Sequence, residues 1–552
     1  MTEDWSLEAT GHGIDAVSFR GERVATRVFF SVRDLVWGSP RIRLWYSGDI
    51  TDSGGLVIEG SVDNYPLELS GSVRVADDEL RFTFEVLATA DVEVTRAGPC
   101  VLSDPGDLGP TFVAAGPAGE HEVVVPDRIL LDRTATGFDR LELSLGGCNV
   151  AIGFAGELFE MEDQRNWGDA TFKSYCPPLT EPQAFLLRSG EVRRYDITFS
   201  ATPTAAGGGL LGEPATSAPS PLVFGPAHSQ MPLLGLRHSG GKLDEETVAV
   251  LGRSRPDYLH LLADLESRDW QHRLESDLNA AEQLGIDAVI TAETTSDGEA
   301  LHRLAGLARG RASTVLLFDR GASTTSDELA ATTAFEDTGI RVGGGSRSNF
   351  ASLNAAGHLP NELETVAVPL AVASHNDDRR AVVSSLESFS AIVRDVRRLA
   401  GERELLIGPV SFRPTFDSWG PSDRVRDSRG DWTSTSRWDG TEFAAAWTVA
   451  AVAALASCDV PRVTIGSTAL LTSPSTDSGI GLVDALRALA ALRGRLVQRV
   501  DAGAGIVGLR SDDELVLGII TEDTARIDYR GRVLSLTSPR VYSDSLGSAS
   551  TA

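Results

Sequence analysis

Tyr258-Leu259-His260-Leu261-Leu262, Ala288-Val289-Ile290-Thr291 and Thr314-Val315-Leu316-Leu317-Phe318 are three short apolar runs with longer mixed stretches between them. Runs of this length suit strands, and the stretches between them suit helices. The same rhythm begins at Leu233–Arg237 and continues through Ile340–Gly343, Thr365–Leu370, Leu405–Val410 and Arg462–Ile465. Between the sixth and seventh runs, Val382, Leu386, Phe389, Ile392, Val393 and Val396 recur at the three-to-four spacing of a helix face. Eight strands alternating with helices predict a central (β/α)8 TIM barrel over 225–494.

On either side the period changes. From about Ala16 to Ser200, segments such as Arg41-Ile42-Arg43-Leu44-Trp45-Tyr46 and Leu80-Arg81-Phe82-Thr83-Phe84-Glu85-Val86 alternate apolar with polar residues and are separated by Gly, Pro, Asp and Ser. That pattern predicts an N-terminal β-sandwich over 1–200. Ala201 to Pro221 is dominated by Ala, Gly, Pro, Ser and Thr without periodicity, so 201–224 reads as a flexible linker. After Gly494 alternation returns in Leu515-Val516-Leu517-Gly518-Ile519-Ile520 and Ala525-Arg526-Ile527-Asp528-Tyr529, predicting a small C-terminal β-domain over 495–552 with a frayed tail from Asp544. The fold class is α/β plus all-β.

The 552 residues carry a formal charge of −28. An acidic surface of this size argues against nucleic acid or an anionic membrane as partner. Spread along the chain and combined with only two lysines, Lys173 and Lys242, it points to a salt-adapted, halophilic protein. The start Met1-Thr2-Glu3-Asp4-Trp5 lacks the basic and apolar segments of a signal peptide, so a cytoplasmic location is expected. Cys100, Cys148, Cys176 and Cys458 form no CxxC and read as buried or partly buried thiols. The apolar stretch Ala444 to Cys458 is shorter than a membrane span and reads as a buried helix. Nothing in the sequence fixes an oligomeric state.

In a barrel of this kind, chemistry sits where the strands end at the C-terminal face. The residues there are His238, Asp264, Glu293, Asp319 with Arg320, Ser346 to Asn349, His375-Asn376-Asp377, Ser411 with Arg413, and Ser467. Such a rim matches a polyhydroxylated substrate, whose hydroxyls each need a donor or acceptor. His238, Asp319, Asn349, His375, Asn376 and Arg413 are the expected substrate contacts, and Glu293, an acid ending an apolar strand, is a candidate base. A structural ion pair is the plain alternative for Glu293, and a turn with a helix cap for 375–378. His238 and His260 are accompanied by no HxH or HExxH, so no metal and no cofactor are expected. Gly503-Ala504-Gly505-Ile506-Val507-Gly508 has the GxGxxG spacing but no helix behind it, so it is not a dinucleotide site.

The densest polar stretch lies outside the barrel: Phe159-Glu160-Met161-Glu162-Asp163-Gln164-Arg165-Asn166-Trp167-Gly168-Asp169-Ala170-Thr171-Phe172-Lys173-Ser174-Tyr175. Its apolar residues can fill the sandwich while its charges pair outside. Equally, Glu160, Glu162, Asp163 and Asp169 crowding near Arg165 and Lys173 suit a sugar-like ligand or a domain junction. Here the chain resembles the D-apionate lactonase family, whose signature EMEDQRNWxDAxFKxY is matched from Glu160 to Tyr175. Arg96-Ala97-Gly98-Pro99-Cys100-Val101-Leu102 is similar to that family's Arg-x-Gly-x-x-x-Leu segment. The chain departs from the pattern at Gly168, where Thr is expected, and around Pro99-Cys100 and Ser103-Asp104-Pro105. The resemblance implies a β-domain, a TIM barrel and a second β-domain. It also implies hydrolysis of a sugar-acid lactone to D-apionate in the breakdown of apiose.

Lactone hydrolysis needs a base to activate water, donors for a tetrahedral oxyanion and an acid for the leaving alkoxide. No GxSxG elbow suggests a serine acyl-enzyme. The expected assignment makes Asp163 or Glu293 the base, with Arg165 and Lys173 stabilising negative charge and Glu160, Glu162, Asn166 and Asp169 holding hydroxyls. Two alternatives stand beside it. One is a glycoside hydrolase using Glu293 and Asp319, weakened because no Glu follows the seventh strand; the other is a non-catalytic carbohydrate-binding protein.

Overall fold

The computed structural model describes residues 4–35, 37–51, 55–179, 184–204, 220–225, 228–238, 243–294, 297–330, 333–373, 377–416, 436–466, 481–503, 505–521, 525–529, 532–536 and 538–544. The chain forms two compact units, the first holding 1–165 and 170–216 and the second holding 166–169, 217–418 and 422–552.

The first unit is all β. A seven-stranded antiparallel sheet runs in the order Trp5–Thr10, Gly13–Phe19, Glu22–Arg33, Arg96–Ser103, Phe172–Tyr175, Phe159–Asp163, Ala135–Phe138. A nine-stranded sheet includes Glu79–Ala88, Cys148–Ala155 and Val192–Pro203. Strict alternation along Glu79–Ala88 sends Leu80, Phe82, Phe84 and Val86 into a core with Phe138, Phe159, Met161 and Phe199. This is the half-buried strand pattern expected from the sequence. Strand Phe159–Asp163 departs from it, because all five of its residues are buried.

In the second unit eight parallel strands close a barrel: Leu233–Arg237, Tyr258–Asp264, Asp287–Thr294, Thr314–Asp319, Arg341–Gly345, Thr365–Ala371, Glu404–Ser411 and Arg462–Ile465. Each lies on a run expected from the sequence. The barrel interior is partly polar. His260 bridges Thr464 Oγ1 (3.1 Å) and Thr291 Oγ1 (2.8 Å), and Tyr258 Oη lies 3.0 Å from the same Thr464 hydroxyl. Burial holds the His260 imidazole down, to about 3, so it stays neutral. At the N-terminal end Arg462 joins Glu404 (2.7 Å) and Asp287 (3.7 Å), a satisfied charge network that closes the barrel floor.

Residues 205–219 of the expected linker lie outside the described residues. On its two sides, 201–203 extend the sandwich strand Val192–Pro203, and Ser220–Pro221 and Val223–Phe224 pair with strands Ala525–Tyr529 and Leu496–Asp501. Helix Glu442–Ala456 is buried on every side. One of its flanks meets the strand Leu515–Ile519, where a Cβ on Gly518 would fall 2.1 Å from the Ala446 carbonyl. Only glycine permits that approach. Among the described residues no helix is long and apolar enough to cross a membrane.

Candidate functional site

The penultimate residue of the third barrel strand is Glu293, which is 4% exposed, and Arg347 from the loop after the fifth strand pairs with its carboxylate. The Arg347 guanidinium is fixed on all sides. It donates to the carbonyls of Ala322 (2.5 Å) and Asp319 (3.2 Å) and lies over the rings of Phe318 and Phe416, the latter at 3.9 Å. Neighbouring strands place Asp264 in register with Glu293 and Glu293 with Phe318. Adjacent parallel strands lie about 4.8 Å apart, so the Asp264 and Glu293 side chains leave neighbouring points of one rim. Arg320 ties the rim together, reaching Glu266 (2.9 Å) and Asp264 (3.4 Å).

Across the barrel Arg413 donates to Asp377 Oδ2 (3.3 Å) and to the Ala373 carbonyl (3.2 Å). The Asp377 carbonyl in turn accepts from Arg437 (2.8 Å) and Trp438 Nε1 (2.7 Å). His375 and Asn376 lie outside the described residues, while Asp378 caps the helix Arg379–Ser384 by accepting from the Ala381 amide. Asn349 likewise caps the helix Phe350–Ala356, its Oδ1 accepting from the Ser352 amide at 3.0 Å. Asp319 is half-buried at the end of the fourth strand. His238 is buried, with Nε2 3.6 Å from Asp277 Oδ1 of helix Trp270–Leu284. Burial pushes the Asp277 carboxyl up to about 7. Arg237 stands in register with His260 at the C-terminal end of the first strand, where it closes an apolar run without any local sequence signal of a site.

The run 159–175 divides between the units. In the β-unit, alternation sends Phe159 and Met161 into the core and Glu160 and Glu162 to the opposite face. There Glu160 pairs in register with Tyr175, and Glu162 with Lys173. Glu160 accepts from Tyr175 Oη, from Arg133 Nε (3.1 Å) and from the Leu179 amide (2.8 Å). Glu162 meets Lys173 Nζ at 2.6 Å, Gln164 Nε2 at 2.6 Å and Arg133 Nη1 at 3.5 Å. Burial and the two carboxylates push the Tyr175 hydroxyl far above its ordinary value, so it stays protonated and donates. Asp163 is 1% exposed and takes three bonds from Arg165, two from the guanidinium (2.6 and 2.8 Å) and one from the amide (3.1 Å). Burial raises its carboxyl despite that pairing.

Asn166 to Asp169 belong to the barrel unit. Asn166 Oδ1 accepts from Asn354 Nδ2 (3.1 Å), and the Gly168 carbonyl accepts from the buried Ser388 hydroxyl (3.0 Å). Gly168 has φ +93°, and a Cβ there would sit 3.1 Å from the Ala371 carbonyl. The departure from the family's Thr is therefore built into a backbone that suits glycine. Asp169 is half-buried in the same turn. Arg347 falls within the rim stretch Ser346 to Asn349, whereas Arg133 stands in a loop whose sequence has no periodic signal.

A closed (β/α)8 barrel with buried, paired acids and arginines where its strands end has the architecture of a barrel enzyme. The family follows from the sequence match: the model for D-apionate lactonase, N-terminal domain, covers residues 2–204, and that for D-apionate lactonase, TIM barrel domain, covers 233–494. The chain belongs to the D-apionate lactonase family, and that membership supports a hydrolase role. A D-apionate lactonase of Brucella anthropi is 24% identical over 455 residues, 74% of this chain and 71% of the relative. Among solved structures, a beta-arabinopyranosidase covers 98% of this chain and 96% of its own at 10% identity and TM-score 0.27. A GH30 endoxylanase from Clostridium papyrosolvens covers 59% and 96% at 9% identity and TM-score 0.36. Likenesses at these scores carry no inference about substrate.

Proposed function

We propose that this chain hydrolyses a sugar-acid lactone, of the apionolactone kind, at the C-terminal mouth of its barrel. The observation that carries this is the Glu293–Arg347 pair: an acid at the end of an apolar strand, held in one position by a guanidinium that is itself fixed by two carbonyls and an aromatic ring. Glu293 takes a proton from water as hydroxide adds to the lactone carbonyl. The tetrahedral oxyanion then collapses, the ring C–O bond breaks, and Glu293 returns the proton to the departing alkoxide, leaving a hydroxy acid. Asp264, Asp319, Arg320 and Arg413 serve the substrate's hydroxyls.

Asp163 is the weaker candidate for the base. It is saturated by its bonds to Arg165, an arrangement that braces the turn after strand Phe159–Asp163. Glu160, Glu162 and Lys173 satisfy one another in the β-unit, and Asn166 is taken up by Asn354. The test is acid release from a panel of pentonic and branched aldonolactones. Glu293→Gln should lower kcat by about 10²- to 10⁴-fold, while Asp163→Asn should lower stability more than turnover. Wild-type turnover in Glu293→Gln would sink the assignment, and cleavage of aryl glycosides instead of lactones would replace it with the glycosidase reading.

A further inference from the structure

The face of the seven-stranded sheet that carries Glu160, Glu162, Lys173 and Tyr175 also carries Arg96. Register sets this: Tyr175 pairs with Cys100 on strand Arg96–Ser103, and alternation puts Gly98 and Arg96 on the same side as Cys100. Arg96 is 5% exposed. Its Nη1 donates to the Thr95 carbonyl at 2.5 Å, but among the described residues Nη2 has no acceptor and the guanidinium makes no ion pair. Glu160 and Glu162 are shared by Arg133, and Glu162 is also held by Lys173. A buried guanidinium donor without an acceptor is costly, because its lost hydration is not replaced, and it calls for one.

The surroundings define what that acceptor is. The Arg96 guanidinium lies over the Tyr175 ring at 5.9 Å and the Trp37 ring at 5.2 Å, and Trp37, 36% exposed, reaches solvent. Lys173 Nζ stands over the same Tyr175 ring at 5.0 Å. Arg96, Arg133 and Lys173 put three cations beside the two carboxylates Glu160 and Glu162, an excess that favours an anion. Aromatic faces next to a guanidinium suit the C–H surface and planar carboxylate of a sugar acid, whereas phosphate would gain nothing from them.

We infer that the β-unit holds a binding site for a small organic carboxylate, a polyhydroxylated acid, seated on Arg96 Nη2 beneath Trp37 and bordered by Tyr175, Arg133 and Lys173. In the lactonase reading such an acid is the reaction product, and in that respect alone the inference rests on that reading. The site then makes the β-unit a sensor or holder of product, built wholly from its own residues.

The test is isothermal titration of the full-length Glu293→Gln protein with sodium D-gluconate, with sodium acetate and xylitol as the charge-only and hydroxyl-only controls. Gluconate should bind at one site, at least tenfold tighter than either control, and quench tryptophan fluorescence. Arg96→Gln should weaken gluconate at least tenfold, and Arg96→Lys should restore part of the loss. Gluconate binding no better than xylitol, or unchanged in a folded Arg96→Gln protein, would overturn the inference. Should Arg96→Gln fail to fold, Trp37→Ala decides: affinity down several-fold with the quench lost supports the site, and unchanged affinity rejects it. Lactone turnover is scored separately on the wild type, so gluconate binding without turnover would reject the lactonase reading and keep this site, and turnover without binding would do the reverse.

Discussion

Replacing Arg347 with Met leaves the Glu293 carboxylate in a place that is 4% exposed and without its partner. The side chains of the pair are 8% and 5% exposed, so solvent screens neither. Removing one member of a buried pair costs about 3–5 kcal/mol, most of it the penalty on the charge left behind. Smaller losses add to this, because the Ala322 and Asp319 carbonyls lose a donor and the Phe416 ring loses its cation. If the charge is the main term, Glu293→Gln in the same chain should return about 2 kcal/mol or more, a strong coupling in a double-mutant cycle. Native-state hydrogen exchange read on the amides of strand Asp287–Thr294, over a series of urea concentrations, isolates the barrel from the β-unit. A single variant that loses under about 1 kcal/mol, or a cycle with no coupling, would refute the claim that this ion pair is dry and mutually dependent.

Other outcomes follow from the same reasoning. Burial raises Asp277 from near 3.8 to about 7, so its contribution to folding is fully present below the unfolded value and lost as pH climbs through 7. Asp277→Asn should flatten that decline and raise stability at pH 8, by at most about 4 kcal/mol for a shift of this size; urea midpoints of both proteins from pH 5 to 8 check it, and parallel curves would refute it. Gly168→Thr, which restores the family's residue, should cost about 1–3 kcal/mol in a melting experiment, because φ is +93° and the new Cβ meets the Ala371 carbonyl at 3.1 Å. Asn349→Ala should cost about 1 kcal/mol through loss of a helix cap and leave lactone turnover little changed, since its Oδ1 is engaged by Ser352.

The barrel was legible because its strands are apolar on both faces and stand out against amphipathic helices: Leu233–Arg237 and Arg462–Ile465 end where the sequence places them. The all-β nature of the N-terminal part was equally plain from strands such as Glu79–Ala88, whose alternation is complete. What could not be read was pairing. Arg347 and Glu293 are 54 positions apart by subtraction of their numbers, and only barrel closure brings them together. Arg133 and Arg96 reach the Glu160–Glu162 face from a loop and from a neighbouring strand, and no local period encodes either meeting. Asp163 looked like a reactive acid because it lies in a dense polar run, but the turn itself supplies the Arg165 that satisfies it. The polar layer around His260 was hidden for the opposite reason: a single histidine and scattered threonines do not disturb an apolar run.

The strands that flank the barrel have a bearing on synthesis. Among the described residues Val223–Phe224, made before the first barrel strand, pairs with the late strand Leu496–Asp501, and helix Glu442–Ala456 takes part of its cover from Leu515–Ile519. On the ribosome, then, eight barrel strands can have emerged while an alanine-rich helix still shows a bare flank and the entry segment hangs unpaired. The late strands act as a clasp that joins the beginning of the barrel to its end. Vectorial folding of this unit is therefore completed from the rear, and a stalled or clipped nascent chain would present to chaperones the apolar helix that the finished protein never exposes.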